Sequence, residues 1–191
     1  MGETDVHWPV PPHNGFTFDD MQASRDLSRR VELIDASLVF TSPLSAFHVD
    51  TVDLLVHGLR STLPKEFRVR REIPVILDRS NAPAPDVTVI SAHVGRDQLS
   101  CEPLDVHLAI EVVSPDSESR DRTTKPYKYG RAGIPHFWRV ERDGTGRKPL
   151  VHVYELDPIT RAYVHTGMHR DRIKVDKPYA IDVDLTAIEE L

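Results

Sequence analysis

Two carboxylates in this chain stand in apolar, β-branched surroundings. Asp86 opens the run 85–90 (PDVTVI), and Glu111 lies inside 107–115 (HLAIEVVSP). Runs of this kind bury both faces when they form strands. A buried carboxylate is costly unless it is paired, hydrogen-bonded or bound to a cation. Two on neighbouring strands point to a shared hard cation, Mg²⁺ or Mn²⁺, which prefers carboxylate and carbonyl oxygens. The backbone carbonyl of Val112, next to Glu111, is a candidate third metal ligand. A cation held by few protein groups leaves places for water and a phosphate oxygen, as hydrolysis of a phosphodiester requires. A basic segment, 120–131 (RDRTTKPYKYGR), follows the second acid. From it Lys125, or failing that Lys128, could bring an ammonium to the charge that develops on the phosphate or the attacking water.

The structural alternatives are specific. Asp86 could cap the turn after residues 83–85, Glu111 could pair with Arg139, and Lys125 could be a surface lysine. The histidines show no ligand spacing, and a zinc site of the HExxH type is absent. There is no GxSxG elbow, P-loop or GxGxxG, which removes support for lipase, NTPase and dinucleotide-binding readings.

The elements that must position these residues can be read from pattern. Residues 1–15 contain Pro9, Pro11 and Pro12 and no periodic pattern, so they read as a flexible leader ahead of one domain over 16–191. Thr17 is a plausible N-cap for a helix over about 18–27. The stretches 31–35 (VELID) and 38–41 (LVFT) read as two strands joined by a tight turn. Ser45 opens an amphipathic helix to about Leu63, with Val49, Val52, Leu55, Val56 and Leu59 on one face. The alternation of 67–77 predicts a strand, and its Pro74 marks an edge or a bulge. The two acid-bearing strands follow, separated by a polar loop over about 91–105. Residues 116–132 become helical in their later part and end at Gly133 and Pro135. Further strands are expected at 137–141, 149–157, 161–165 and 179–183. Helices and strands in this order predict an α/β or α+β domain with a mixed sheet.

Bulk properties bound the function more loosely. A length of 191 residues and 39% hydrophobic content suit a globular domain with a real core. No apolar run approaches the roughly 20 residues that span a bilayer, so no membrane partner is expected. The single cysteine, Cys101, excludes an intrachain disulfide and suits a reducing cytoplasm. The net charge of −6 does not advertise a nucleic-acid binder, although basic residues cluster at 65–71 (KEFRVRR) and 120–131.

Taken in order, VELID at 31–35, Pro85-Asp86-Val87, EVVSP at 111–115, Asp121, Lys125, Tyr129, RAGIP at 131–135 and Phe137-Trp138 resemble the Uma2 family, also called DUF820. The resemblance covers roughly residues 16–157. It implies a restriction-endonuclease-like fold of the PD-(D/E)XK superfamily: a mixed β-sheet core flanked by helices, here with a β-rich C-terminal extension. It also implies a Mg²⁺- or Mn²⁺-dependent endonuclease acting on DNA. On that resemblance Asp86 and Glu111 are the metal-holding acids, Glu32 matches a supporting acid on the early strand, and His48 matches a recurring histidine. The superfamily lysine would fall at Val113, and Lys125 on the following helix takes its place. A homodimer follows from the habit of such folds to pair two active sites. Two departures stand out. Ala36-Ser37 replaces the usual Gly-Glu after VELID, and Pro126 directly follows Lys125. Both motivate an alternative from another class, a catalytically silent module that binds nucleic acid or protein on the same fold. RNA or another phosphodiester is a third possibility, because nothing in the sequence reads base or sugar identity.

Overall fold

The computed structural model describes residues 9–23, 31–144, 146 and 148–191. The chain opens with helix α1 (Phe18–Ala23) and a hairpin of β1 (Val31–Ile34) and β2 (Ser37–Phe40). Thr17 caps α1: its hydroxyl oxygen accepts from the Asp20 amide at 3.3 Å, and the Asp20 carboxylate accepts from the Thr17 amide at 2.8 Å. The expected continuation of this helix to residue 27 lies outside the described residues. Helix α2 (Ala46–Ser61) starts at Ser45, whose side chain accepts from the His48 amide at 3.3 Å.

Then come β3 (Phe67–Arg71), β4 (Val87–Ser91), β5 (Val106–Val112), helix α3 (Lys125–Ala132), β6 (His136–Arg142), β7 (Pro149–Leu156), β8 (Tyr163–His169), β9 (Arg172–Val175) and β10 (Ile181–Asp184). Strands β3 to β8 form one six-stranded sheet in chain order. Only β5 and β6 run parallel; α3 is their crossover. The architecture is therefore α+β with a mixed central sheet and few flanking helices, as expected. Strand β3 lies at the sheet edge, where Pro74 had placed it. It stops at Arg71 rather than Leu77, because Glu72 adopts a φ of 50° that no regular strand allows.

The sheet carries a hydrophobic layer on each face. Leu108, Ile110 and Val112 of β5 join Val52, Leu55 and Leu59 of α2 on one side. Ala109 of β5 joins Tyr129 of α3, Ile134 and Phe137 on the other. Side chains alternate along a strand, so Glu111 shares the face of Ala109 and points toward α3. Part of the β-rich tail, β8, completes the sheet. The rest, the hairpin of β9 and β10, packs on α2 so closely that a Cβ on Gly58 would stand 2.5 Å from a methyl of Val183. Strand β9 was not legible in the sequence, and β8 runs four residues beyond the expected end.

Candidate active site

The two acids reach one cleft by different routes. Asp86 stands one residue ahead of β4, not inside it. Its Oδ2 accepts from the Val112 amide at 2.7 Å, which ties the entry of β4 to the end of β5. Its Oδ1 lies 3.1 Å from Nε2 of His48, which the cap at Ser45 holds in the first turn of α2. Glu111 is buried within β5. Arg139 lies beside it in register on β6, yet pairs instead with Glu141 at 2.7 Å, so the Glu111–Arg139 alternative is not what the fold contains.

Lys125 occupies the centre of the site. Its Nζ lies 3.0 Å from Glu111 Oε2, 3.0 Å from Glu32 Oε1 and 3.3 Å from Asp121 Oδ1. Glu111 Oε1 accepts from the Tyr129 hydroxyl at 2.5 Å. Glu32 comes from the hairpin, which docks through paired backbone bonds between Leu33 and Ala82, and its Oε1 also accepts from the Ala84 amide at 2.9 Å. Asp121 is held by the hydroxyl of Ser117. Glu32, Asp86, Glu111, Val112, His48 and Lys125 thus line one cleft of about 90 Å³. Lys128 does not: its ammonium pairs with Asp35 on the hairpin turn at 2.5 Å.

The aim of Lys125 depends on Pro126. A proline within a helix removes a donor and its ring crowds the carbonyl four residues back. The chain meets this with one wide π turn over Arg120–Thr124, in which the Lys125 amide bonds to the Arg120 carbonyl. Lys125 then keeps helical angles of −64° and −48° despite preceding a proline. Such single π turns recur at functional sites. Asp121, Lys125 and Tyr129 fall at successive steps of four: the first two line the cleft, and the buried Tyr129 reaches Glu111 beside it. In the sequence Tyr129 and Asp121 stand out only as positions of the motif series, with no role attached. Their spacing was the signal, and it became interpretable once Glu111 was known to face that helix.

Burial pushes the Glu111 carboxyl well above the carboxylate range. Lys125 opposes that rise, and the neighbouring Asp121, Asp86 and Glu32 add to it. Burial raises Asp121 for the same reason. Burial by itself would pull Lys125 down, but Glu111, Glu32, Asp121 and Asp86 together hold it well above its ordinary value. The lysine is therefore a stable cation, and the Tyr129 hydroxyl stays neutral.

The donor set has the chemistry of a site for a hard divalent cation. Four carboxyl groups surround one ammonium, leaving a surplus of negative charge, and Glu32 Oε2 is a buried oxygen with no hydrogen-bond partner. Both features suit an oxygen-seeking cation. Against this, no three His, Cys, Asp or Glu side chains among the described residues are placed to close on one ion. The residues fit the chemistry of the group, while the side chains themselves are engaged with Lys125, Tyr129 and His48. Cys101 takes no part: it is buried, and burial pushes its thiol up to about 12.

No helix among the described residues is long and apolar enough to cross a membrane. No curated protein matches the chain. A crystal structure described as that of a "putative nuclease belonging to DUF820" from Anabaena variabilis shares its fold. The likeness covers 92% of this chain and 93% of that one, with a TM-score of 0.61 at 16% sequence identity. The model of the Uma2 family, described as "Putative restriction endonuclease", matches residues 17–186, beyond the resemblance seen in the motifs and into the C-terminal hairpin. With matching motifs, a matching fold and a family model that spans most of its length, this chain belongs to the Uma2 family.

Proposed function

We propose that the protein is a nuclease that hydrolyses phosphodiester bonds of DNA with the help of Mg²⁺ or Mn²⁺. The observation that carries this reading is the convergence of Glu32, Glu111 and Asp121 on Lys125, with Asp86 lining the same open cleft, in a chain of this family. Asp86 and Glu111, with the Val112 carbonyl, would hold the cation, and Glu32 would support it directly or through water. When bound, the cation would lower the pKa of a coordinated water and neutralise charge on the phosphate. The surrounding acids hold Lys125 well above its ordinary value, which favours its cationic form. It acts as a fixed positive charge that orients the attacking water and steadies the phosphate as negative charge builds. Arg120 lines the same cleft and its buried Nε has no hydrogen-bond partner, so it is available to a phosphate oxygen.

One observation favours a second reading, the catalytically silent module. Both oxygens of Glu111 are already engaged, by Lys125 and by Tyr129. The test is cleavage of supercoiled plasmid with Mg²⁺, Mn²⁺ or EDTA, for wild type and Glu111→Gln. Metal-dependent nicking that falls at least about 100-fold in the variant is expected from loss of a cation ligand. Absence of nicking by the wild type with either metal favours the silent module. Equal nicking by the variant removes Glu111 from the site.

A further inference from the structure

On the far side of α3 from the cleft lies a second pocket, of about 330 Å³, built from guanidinium groups and phenol rings. Arg122 comes from the π turn, Tyr127 and Arg131 from α3, Arg139 from β6, Tyr154 from β7 and Arg161 from the turn between β7 and β8. None of its lining residues is acidic. In a chain of net charge −6, four arginines drawn from four separate elements to one depression are a local reversal of the overall sign.

The arginines are not equally engaged. Glu141 pairs with both Arg122, at 2.7 Å, and Arg139, at 2.7 Å, and Glu118 pairs with Arg122 as well. Arg131 and Arg161 make no ion pair with a carboxylate among the described residues. Arg161 is positioned by Gly133, whose φ of 89° ends α3: a Cβ there would come within 2.7 Å of the guanidinium. Arg139 lies 5.6 Å from the centre of the Tyr154 ring, and Tyr127 is an aromatic left 69% exposed at the rim.

We propose that this pocket binds an unpaired nucleotide of the nucleic-acid strand that enters the cleft, its base on the tyrosine rings and its phosphate on Arg131 and Arg161. Guanidinium forks match phosphate geometry, and any base can stack on an aromatic face. The route between the two sites is short. Asp121 and Lys125 face the cleft while their chain neighbours Arg122 and Pro126 face the pocket. A helix is only about 10–12 Å across with its side chains, which about three nucleotides span at roughly 3.4 Å of rise each. The pocket would thus select substrates with a single-stranded segment beside the scissile bond, a feature that the cleft residues do not provide.

This inference rests on the nuclease reading, and the experiment separates the two. Binding of a fluorescein-labelled oligothymidine and of a labelled blunt duplex is measured by anisotropy on the Glu111→Gln protein, with and without Tyr127→Ala and Arg131→Glu. Loss of one stacked base and one phosphate contact is expected to weaken single-strand binding about tenfold or more. Duplex binding should change much less. Unchanged melting temperatures confirm that these surface variants fold. Single-strand binding equal to that of the parent protein overturns the proposal, and so does an equal loss on both probes, which marks a general phosphate contact. If the wild type cuts no plasmid yet the selective loss is seen, the nuclease reading fails while the pocket stands.

Discussion

The two faces of the central sheet are built from the same strands and by opposite physics. On the face toward α2, Leu108, Ile110, Val112, Trp138 and Val140 meet the apolar face of an amphipathic helix, and burial holds the layer together. On the face toward α3, Glu111 replaces what would be another apolar residue; Lys125 and the Tyr129 hydroxyl satisfy it, and Glu32 and Asp121 in turn pair with Lys125. The first face tolerates many side chains of suitable volume, because dispersion and burial are not directional. The second has few solutions, since a buried charge without its partners costs several kcal/mol. A strand with period two can thus carry core on one side and chemistry on the other, with no extra secondary structure.

Four variants break or sharpen that contrast. The largest effect is expected from Lys125→Met, which leaves buried carboxylates without their cation and costs about 3–5 kcal/mol. Its pH dependence has a defined sign. Burial already raises Glu111 above its unfolded value, so its contribution to stability is present below the unfolded pKa and is lost as pH rises through the folded one. Removing Lys125 removes the main opposing influence. The loss in melting temperature should therefore grow from about pH 5 to about pH 8. On the other face, Ile110→Ala should cost about 2–5 kcal/mol by cavity formation, equally at both pH values. Matching pH profiles for the two variants in thermal denaturation would erase the distinction between the faces.

A smaller change, Tyr129→Phe, deletes one hydrogen bond to Glu111 and should cost about 2 kcal/mol in urea unfolding. The smallest concerns the hairpin that delivers Glu32. Asp35 and Ala36 both adopt left-handed angles, φ 49° and 57°, as the tight hairpin turn demands. Ala36 pays for this where glycine would not. Ala36→Gly should raise stability by about 0.5 kcal/mol, the left-handed cost removed less the greater backbone entropy that glycine loses. Plasmid nicking by this variant should be unchanged, since the turn fixes the hairpin and not the cleft chemistry.

Much of the fold was legible because its signals are local. Thr17 and Ser45 cap helices through side chains three residues from the amides they bind, and the first four residues of VELID form a strand, as their apolar pattern predicts. Gly133 ends α3 with a positive φ, as its position after the last helical residue suggests. The short strand β9 carried no comparable signal. The end of β3 depended on Glu72, whose φ of 50° no residue type announces. In the site, Asp86, Glu111 and Lys125 could be named from residue type and order, and Glu32 from the family resemblance, and the four do share a cleft. Tyr129 and Asp121 could not be assigned as partners of Glu111 and Lys125, because that needs the side of the sheet on which α3 lies.

The sequence by itself determined the inventory of helices and most strands, the two acids in apolar runs and the proline that follows Lys125. These follow from dihedral preferences, period and local hydrogen bonds, each acting over a few residues. The tertiary structure alone decided that Lys125 and not Lys128 enters the cleft, that Glu111 meets Tyr129 and not Arg139, and that four arginines gather behind α3. Those are pairings between residues distant in sequence. Their choice is set by how a helix docks on a sheet, and no local preference encodes it.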